Sequence, residues 1–281
     1  MIVKPEHPME LCLKLREKEL VLYGFGGAGS RIGTWCDENQ IKYVYADRDA
    51  KEKQSLTDKR VITPEALLKE YPDANVVVTS IVYYNEIVEC LLSLGIAKEN
   101  ILSYRLFMPG QVRWKDLEFS TEWGTHKGRV ERIAGLLPKD ITSVADYGEG
   151  KGSIRQYLDS SAKYYPLDYV RRSEATILCD FNKDELPNLG TEAAICTATL
   201  VFLEKPERLI RHLCTHTERF IVMSYVTTDK FPDVDGRRAS GYRSDYSEDD
   251  IAKMFATEGF TLKEKCADPA NRIDTIYVFV K

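Results

Sequence analysis

The chain has 281 residues, 43% apolar and 30% charged, enough for two cores of ordinary domain size, with seven scattered cysteines and no Cys-x-x-Cys pair to suggest a disulfide framework or zinc knuckle. A net charge of −5 argues against a large nucleic-acid partner, because affinity for a phosphate backbone needs clustered Lys and Arg. No apolar run approaches the roughly 20 residues of a membrane span, and the first residues lack the apolar core of a secretory signal, so a cytoplasmic protein without a membrane span is expected.

An apolar run over residues 21–23 enters Gly24-Phe25-Gly26-Gly27-Ala28-Gly29, a Gly-x-Gly-x-x-Gly pattern. A helix-like segment and a strand-like run over 43–46 come next, ending at Asp47. Glycines at this spacing allow a tight turn and close backbone approach to a pyrophosphate, and an acid after the next strand suits a ribose hydroxyl. Gly24, Gly26, Gly29 and Asp47 are therefore a candidate nucleotide site, for NAD or a nucleotide-sugar. Thr63-Pro64 opens a helix with a cap and a first-turn proline, 75–82 is a β-branched strand, 85–94 a helix stopped by Gly95, and 101–106 a last strand. The β/α unit over 19–108 resembles the small Rossmann-like domains attached to bacterial enzymes of surface-sugar and capsule biosynthesis. The same glycines equally suit a unit that only docks or dimerises, and Ile87, Val88 and Leu91 offer an apolar face for a homodimer. A Rossmann-like domain over 1–110 and an ordered linker over 111–127, with Trp123 and His126, are expected.

Val130, Ile133, Ala134 and Leu137 then recur at helical spacing ahead of the apolar run 141–145. That run passes into Asp146-Tyr147-Gly148-Glu149-Gly150-Lys151-Gly152 and a short amphipathic stretch, predicting a strand, a glycine turn and a helix. Two further strand-like runs end at Asp168 and Asp180, and a buried strand is expected over 193–198. A nucleoside lying across parallel strand ends needs this set: a glycine turn, an acid for ribose hydroxyls and polar contacts for the adenine edge. With its acidic-x-Gly-x-Gly-x-Gly motif, the segment 128–281 resembles a class I S-adenosylmethionine-dependent methyltransferase. The resemblance implies that Gly148, Gly150 and Gly152 line the methionine and ribose part of S-adenosylmethionine, that Asp168 accepts from the ribose hydroxyls, and that Asp180 meets the adenine amino group.

At Leu200-Val201-Phe202-Leu203-Glu204-Lys205-Pro206 the chain departs from the family pattern: Val201 and Phe202 stand where Glu and His or Tyr are common, so any acid-base role there is absent. His212 and His216 have helical i,i+4 spacing but no acidic third ligand, and no metal is expected. The polar loop after the strand at 220–225 carries Arg237, Arg238, Tyr242, Arg243 and Asp245. Loops at that position lie over the strand ends, so the arginines suggest a small anionic or glycan-precursor acceptor, with His126, Tyr242 and Asp245 as candidates for proton acceptor or acceptor positioning. Ser247-Glu248-Asp249-Asp250 opens a capped helix, and two strands close the chain. The fold expected is α/β, two Rossmann-like domains, the second a methyltransferase-type sheet with an antiparallel final strand. The function expected is methyl transfer in capsule or surface-glycan synthesis. The alternatives are a non-catalytic nucleotide-binding or assembly factor and an NAD-dependent sugar oxidoreductase, the latter lacking a suitably placed Tyr-x-x-x-Lys pair.

Overall fold

A computed structural model describes residues 3–108, 127–150, 153–269, 271 and 273–281. The chain divides into two compact units, residues 1–117 and 118–281. Among the described residues no helix is long and apolar enough to cross a membrane.

The N-terminal unit is a parallel five-stranded sheet in the order β3-β2-β1-β4-β5, with β1 Leu20–Tyr23, β2 Val44–Ala46, β3 Val61–Ile62, β4 Asn75–Val78 and β5 Ile101–Ser103. Every residue of β1 and β4 is buried, as central parallel strands covered by helices on both faces must be. One face packs Val21, Tyr23, Val76 and Val78 against Leu67 of α4 (Pro64–Glu70) and Leu91 of α5 (Tyr84–Ser93). Helix α1 is Pro8–Arg16, α2 Gly27–Glu38 and α3 Ala50–Lys53. Two strands end earlier than their composition suggests. Thr79 turns its hydroxyl onto the Tyr23 and Gly24 carbonyls just after β4, and a 3-10 turn at Tyr104–Phe107 comes after β5. Leu91 is fully buried, and Ile87 and Val88 are partly buried and pack on the same core.

The C-terminal unit is a seven-stranded sheet in the order β11-β12-β10-β9-β6-β7-β8. Its strands are β6 Ser143–Tyr147, β7 Lys163–Asp168, β8 Ile177–Leu178, β9 Thr191–Cys196, β10 Thr217–Tyr225, β11 Thr261–Ala267 and β12 Thr275–Val280. Strands β6 to β10 run parallel, and β12 lies antiparallel between β10 and β11. The expected α/β fold with an antiparallel final strand is therefore present. Helix α6 (Lys127–Leu136) lays Ile133 on Val144, Ile195, Val222 and Ile276. Helix α7 is Pro206–His216, α8 Val234–Ala239 and α9 Glu248–Thr257, and the Phe255 ring of α9 stacks on Phe279 of β12 at 3.9 Å. The strand order reverses direction at β6: β7 and β8 lie to one side, β9 and β10 to the other. Open α/β sheets hold ligands in the crevice at the carboxyl ends of such strands.

Candidate cofactor and acceptor site

At the carboxyl end of β6, Gly148 and Gly150 adopt left-handed conformations, with φ of +89° and +56°, which glycine takes without the steric cost other residues meet. A Cβ on Gly148 would lie 2.1 Å from Thr199 Oγ1, which donates to the Tyr147 carbonyl at 3.2 Å, so this glycine is required by close packing of the turn on the next strand. Among the described residues a Cβ on Gly150 would meet nothing within 4 Å, so Gly150 borders space open there, and Gly148 shapes the wall behind it. The helix expected after the turn is a five-residue 3-10 segment, Ser153–Tyr157. Among the described residues, the first element after the turn is thus not an α-helix.

Three carboxylates gather at this turn. Asp168, the last residue of β7 and 4% exposed, accepts at Oδ2 from the Gly150 N–H at 3.1 Å and at Oδ1 from the Val170 N–H at 3.0 Å, with Arg172 Nε 3.7 Å away. A carboxylate has about four lone-pair sites, so two bonds leave capacity for a diol. Asp146 is also 4% exposed; burial pushes its carboxyl up to about 7, against the Tyr164 hydroxyl that donates to it at 2.6 Å. Glu149, between the glycines, is buried, accepts from the Thr176 hydroxyl and is raised by the same desolvation. Asp180 lies half-buried after β8 and accepts from the Asn182 N–H at 3.2 Å. The topology thus brings Asp146, Gly148, Gly150, Asp168 and Asp180 to one end of the sheet. Gly152 and His126 lie outside the described residues.

Tyr164, Glu149 and Thr176 were not singled out by sequence. The two x positions within the glycine motif were readable as facing the ligand or the interior, and an acid there was the available signal. Tyr164 had none, since an aromatic in a strand is ordinarily core.

The loop between β10 and α9 differs from expectation. Arg237 sits in the six-residue helix α8 and is fully buried: its Nε donates to Asp245 Oδ1 at 2.7 Å, Nη1 to the Val226 carbonyl at 2.8 Å and Nη2 to the Ser244 carbonyl at 2.6 Å. A guanidinium so engaged ties the loop together and does not receive an anionic acceptor. Arg238 pairs with the same Asp245, and the two arginines hold that carboxylate below the usual range, Arg238 having the larger effect. Asp245 is therefore a strut and a weakened base. Tyr242 is 5% exposed between Phe202 and Phe231, and burial raises its hydroxyl, keeping it a neutral phenol at physiological pH. Arg243 is half-buried, and its N–H donates to the Val201 carbonyl at 2.7 Å. Val201 and Phe202 are themselves buried, in keeping with their loss of polar chemistry. His212 packs edge-on against Tyr147 and contacts the Pro187 carbonyl at 3.2 Å, and burial pushes it down to about 4. Among the described residues no three His, Cys, Asp or Glu side chains converge on a metal position.

The N-terminal turn has a comparable construction. Gly24 has φ +108°, and a Cβ on Gly29 would lie 2.0 Å from the Gly24 carbonyl, so α2 packs directly on the turn. Positions 26 and 27 open to empty space at the start of α2. Asp47 accepts from the Phe25 N–H at 2.7 Å and the Asp49 N–H at 2.9 Å. In both units, then, the acid ending the second strand braces the glycine turn after the first.

No protein-family model matches the chain, and no curated protein matches it in sequence. Among solved structures it is similar to the magnesium protoporphyrin IX methyltransferase of Synechocystis PCC 6803 with bound S-adenosylhomocysteine, at 19% identity over 70% of this chain and 99% of that one, TM-score 0.45. It is also similar to the 1,6-didemethyltoxoflavin-N1-methyltransferase of Burkholderia thailandensis, at 14% identity over 56% and 80%, TM-score 0.43. A third likeness is to the methyltransferase bound by the Trm112 activator in Haloferax volcanii, at 12% identity over 55% and 89%, TM-score 0.44. These likenesses are weak in identity and superposition.

Proposed function

We propose that the C-terminal unit binds S-adenosylmethionine at the carboxyl ends of β6 to β8 and transfers its methyl group to a small acceptor at the ends of β9, β10 and β12. The observation that carries this reading is the cluster of carboxyl groups at the turn. Asp146, Glu149 and Asp168 lie together beside Gly150, with Arg172 3.7 Å from Asp168; burial raises Asp146 and Glu149, so a bound cation is what would favour their ionised forms. Anions favour helix starts and cationic surroundings, whereas this pocket favours a ligand that brings positive charge and a ribose diol. An adenosyl sulfonium carries both. Gly148, Gly150 and Gly152 would admit it, Asp168 would accept from its ribose, Asp180 would meet the adenine amino group, and Asp146 with Glu149 would face its cationic portion.

When bound, that ligand supplies an electrophilic methyl on positive sulfur, which an acceptor oxygen or nitrogen attacks in line. The protein's part is orientation, which can supply roughly 7 to 11 kcal/mol of the barrier. With Arg237 and Arg238 tied to Asp245, support for an anionic acceptor falls away. A sugar hydroxyl of a surface-glycan precursor remains the acceptor favoured by the resemblance of the N-terminal unit, a support by analogy.

Calorimetry with S-adenosylhomocysteine tests the reading. Wild type binds; Gly150→Asn, which tolerates a left-handed backbone and fills the open space, keeps its melting temperature and loses about tenfold or more in affinity. Absence of binding to wild type overturns it and leaves the assembly-factor alternative.

The open space at Gly26 and Gly27, the N-cap and first residue of α2 with no side-chain cap, favours a second, separate site for the pyrophosphate of NAD or a nucleotide-sugar. Titration with NAD and with UDP-glucose checks it, and a flat response to both assigns the unit to docking.

A further inference from the structure

A second polar cluster lies at the same end of the C-terminal sheet, on the flank away from β7 and β8. Ala198, left-handed at φ +50° just after β9, donates its N–H to Ser224 Oγ at 2.9 Å. Ser224, the penultimate residue of β10, donates in turn to Asp274 Oδ2 at 3.0 Å. Asp274 immediately precedes β12, at the point where Thr275 pairs with Tyr225. Arg129, from the first turn of α6, reaches the same Oδ2 at 3.4 Å and also pairs with Asp268. The other oxygen, Oδ1, is buried and has no hydrogen-bond partner among the described residues, although Asp274 is only 2% exposed.

Native proteins leave few buried polar atoms unpaired, and those they keep require an explanation. The pairs with Ser224 and Arg129 account for Oδ2; Oδ1 is the atom they leave over. The cluster is joined to the cofactor turn: Thr199, next to Ala198, bonds the Tyr147 carbonyl and occupies the place a Gly148 side chain would need. We infer that Asp274, oriented by Ser224 and Arg129, receives the O–H or N–H of the methyl acceptor, so that the reactive end of the acceptor is a hydrogen-bond donor and not an anion. This rests on the methyl-transfer reading above. In the step, the acceptor oxygen or nitrogen forms its bond to the methyl carbon while its proton passes to Asp274 Oδ1. The electrons of the broken carbon–sulfur bond stay on sulfur, leaving S-adenosylhomocysteine, and the proton then leaves to solvent. Burial pushes Asp274 up to about 6, with Arg129 opposing, Asp268 adding to the rise, and Ser224 and the nearby Thr275 backbone N–H opposing; that N–H makes no hydrogen bond of good geometry to Oδ1, and the carboxyl lies near the working range of a general base.

The test is to soak crystals of the S-adenosylhomocysteine complex with catechol and, separately, with ethanolamine, and to measure both probes by calorimetry on the same complex. The result expected is a probe O–H or N–H within hydrogen-bond distance of Asp274 Oδ1, and a loss of about tenfold or more in its affinity in Asp274→Asn, with S-adenosylhomocysteine affinity changed by less than about twofold. Ser224→Ala, which keeps the Arg129 pair, gives a smaller loss in the same direction and stands in should Asp274→Asn fail to fold. A sealed water on Oδ1 with neither probe reaching it, or unchanged probe affinity in the variants, overturns the inference while the cofactor reading survives. Failure of S-adenosylhomocysteine itself to bind removes both.

Discussion

At Asp146 a carboxyl pushed up to about 7 by burial meets a tyrosine hydroxyl that opposes the rise. An unfolded Asp ionises near about 3.9, so between about pH 4 and 7 the folded side chain keeps a proton that the unfolded chain has lost. Its contribution to stability is full below about pH 4 and is lost as pH rises through about 7, a span worth on the order of 4 kcal/mol at most. Asp274 acts in the same sense up to about 6. Asp146→Asn should therefore remove part of the fall in melting temperature across that range, read as the wild-type-minus-variant difference at each pH. A bound sulfonium favours the ionised carboxylate, so S-adenosylmethionine binding near pH 6 should release protons, measurable by calorimetry in two buffers of different ionisation enthalpy. Asp146→Asn should reduce the release, and Tyr164→Phe, which removes the stabilising donor, should carry it to higher pH. No change in proton release in Asp146→Asn would detach this carboxyl from the ligand.

At the scale of elements, the glycine turn and helix α8 show two ways in which local sequence becomes a site. In the turn, Gly148→Ala sets a Cβ 2.1 Å from Thr199 Oγ1 at φ +89°, so overpacking and backbone strain should cost about 2 to 4 kcal/mol in chemical denaturation. Gly150→Ala meets no neighbour and should cost about 1 kcal/mol, the left-handed penalty alone. In α8, Arg237→Ala strands the Val226 and Ser244 carbonyls in the interior and should destabilise by about 3 to 5 kcal/mol; Arg237→Lys should recover only part, because an ammonium cannot reproduce the fork. Much of the turn was legible, since glycine spacing, the apolar run before it and the acids at 168 and 180 follow from strand and turn chemistry. Helix α8 was not. It has no apolar periodicity, and an arginine pair reads as an anion site until burial shows which carbonyls it serves. The helix after Gly152 failed for a related reason: an amphipathic stretch too short to propagate closed as one 3-10 segment.

Across the whole molecule, the two sheets repeat one device, an acid after the second strand holding a backbone N–H of the first turn: Asp47 on Phe25, Asp168 on Gly150. The division into two α/β units was readable because the series of apolar runs, glycine turns and acids occurs twice along the chain. The bracing was not, because a carboxylate that binds a ribose and one that binds a turn leave the same letter at the same spacing. The units differ in the element that succeeds the turn, a twelve-residue helix in one and a 3-10 segment in the other. Their ligands should therefore differ in charge and be felt separately. A ligand binding only the folded state stabilises its unit by about 2.7 kcal/mol at a hundredfold excess over Kd. Hydrogen exchange read by mass spectrometry should then show S-adenosylhomocysteine slowing exchange in β6, β7 and the turn between them, with β1 and α2 unchanged. NAD or UDP-glucose, if taken up at Gly24, Gly26 and Gly29, should give the reverse pattern. Protection of both turns by S-adenosylhomocysteine alone would mean that the N-terminal glycines accept the same adenosyl group, and the charge distinction drawn between the two sites would fail.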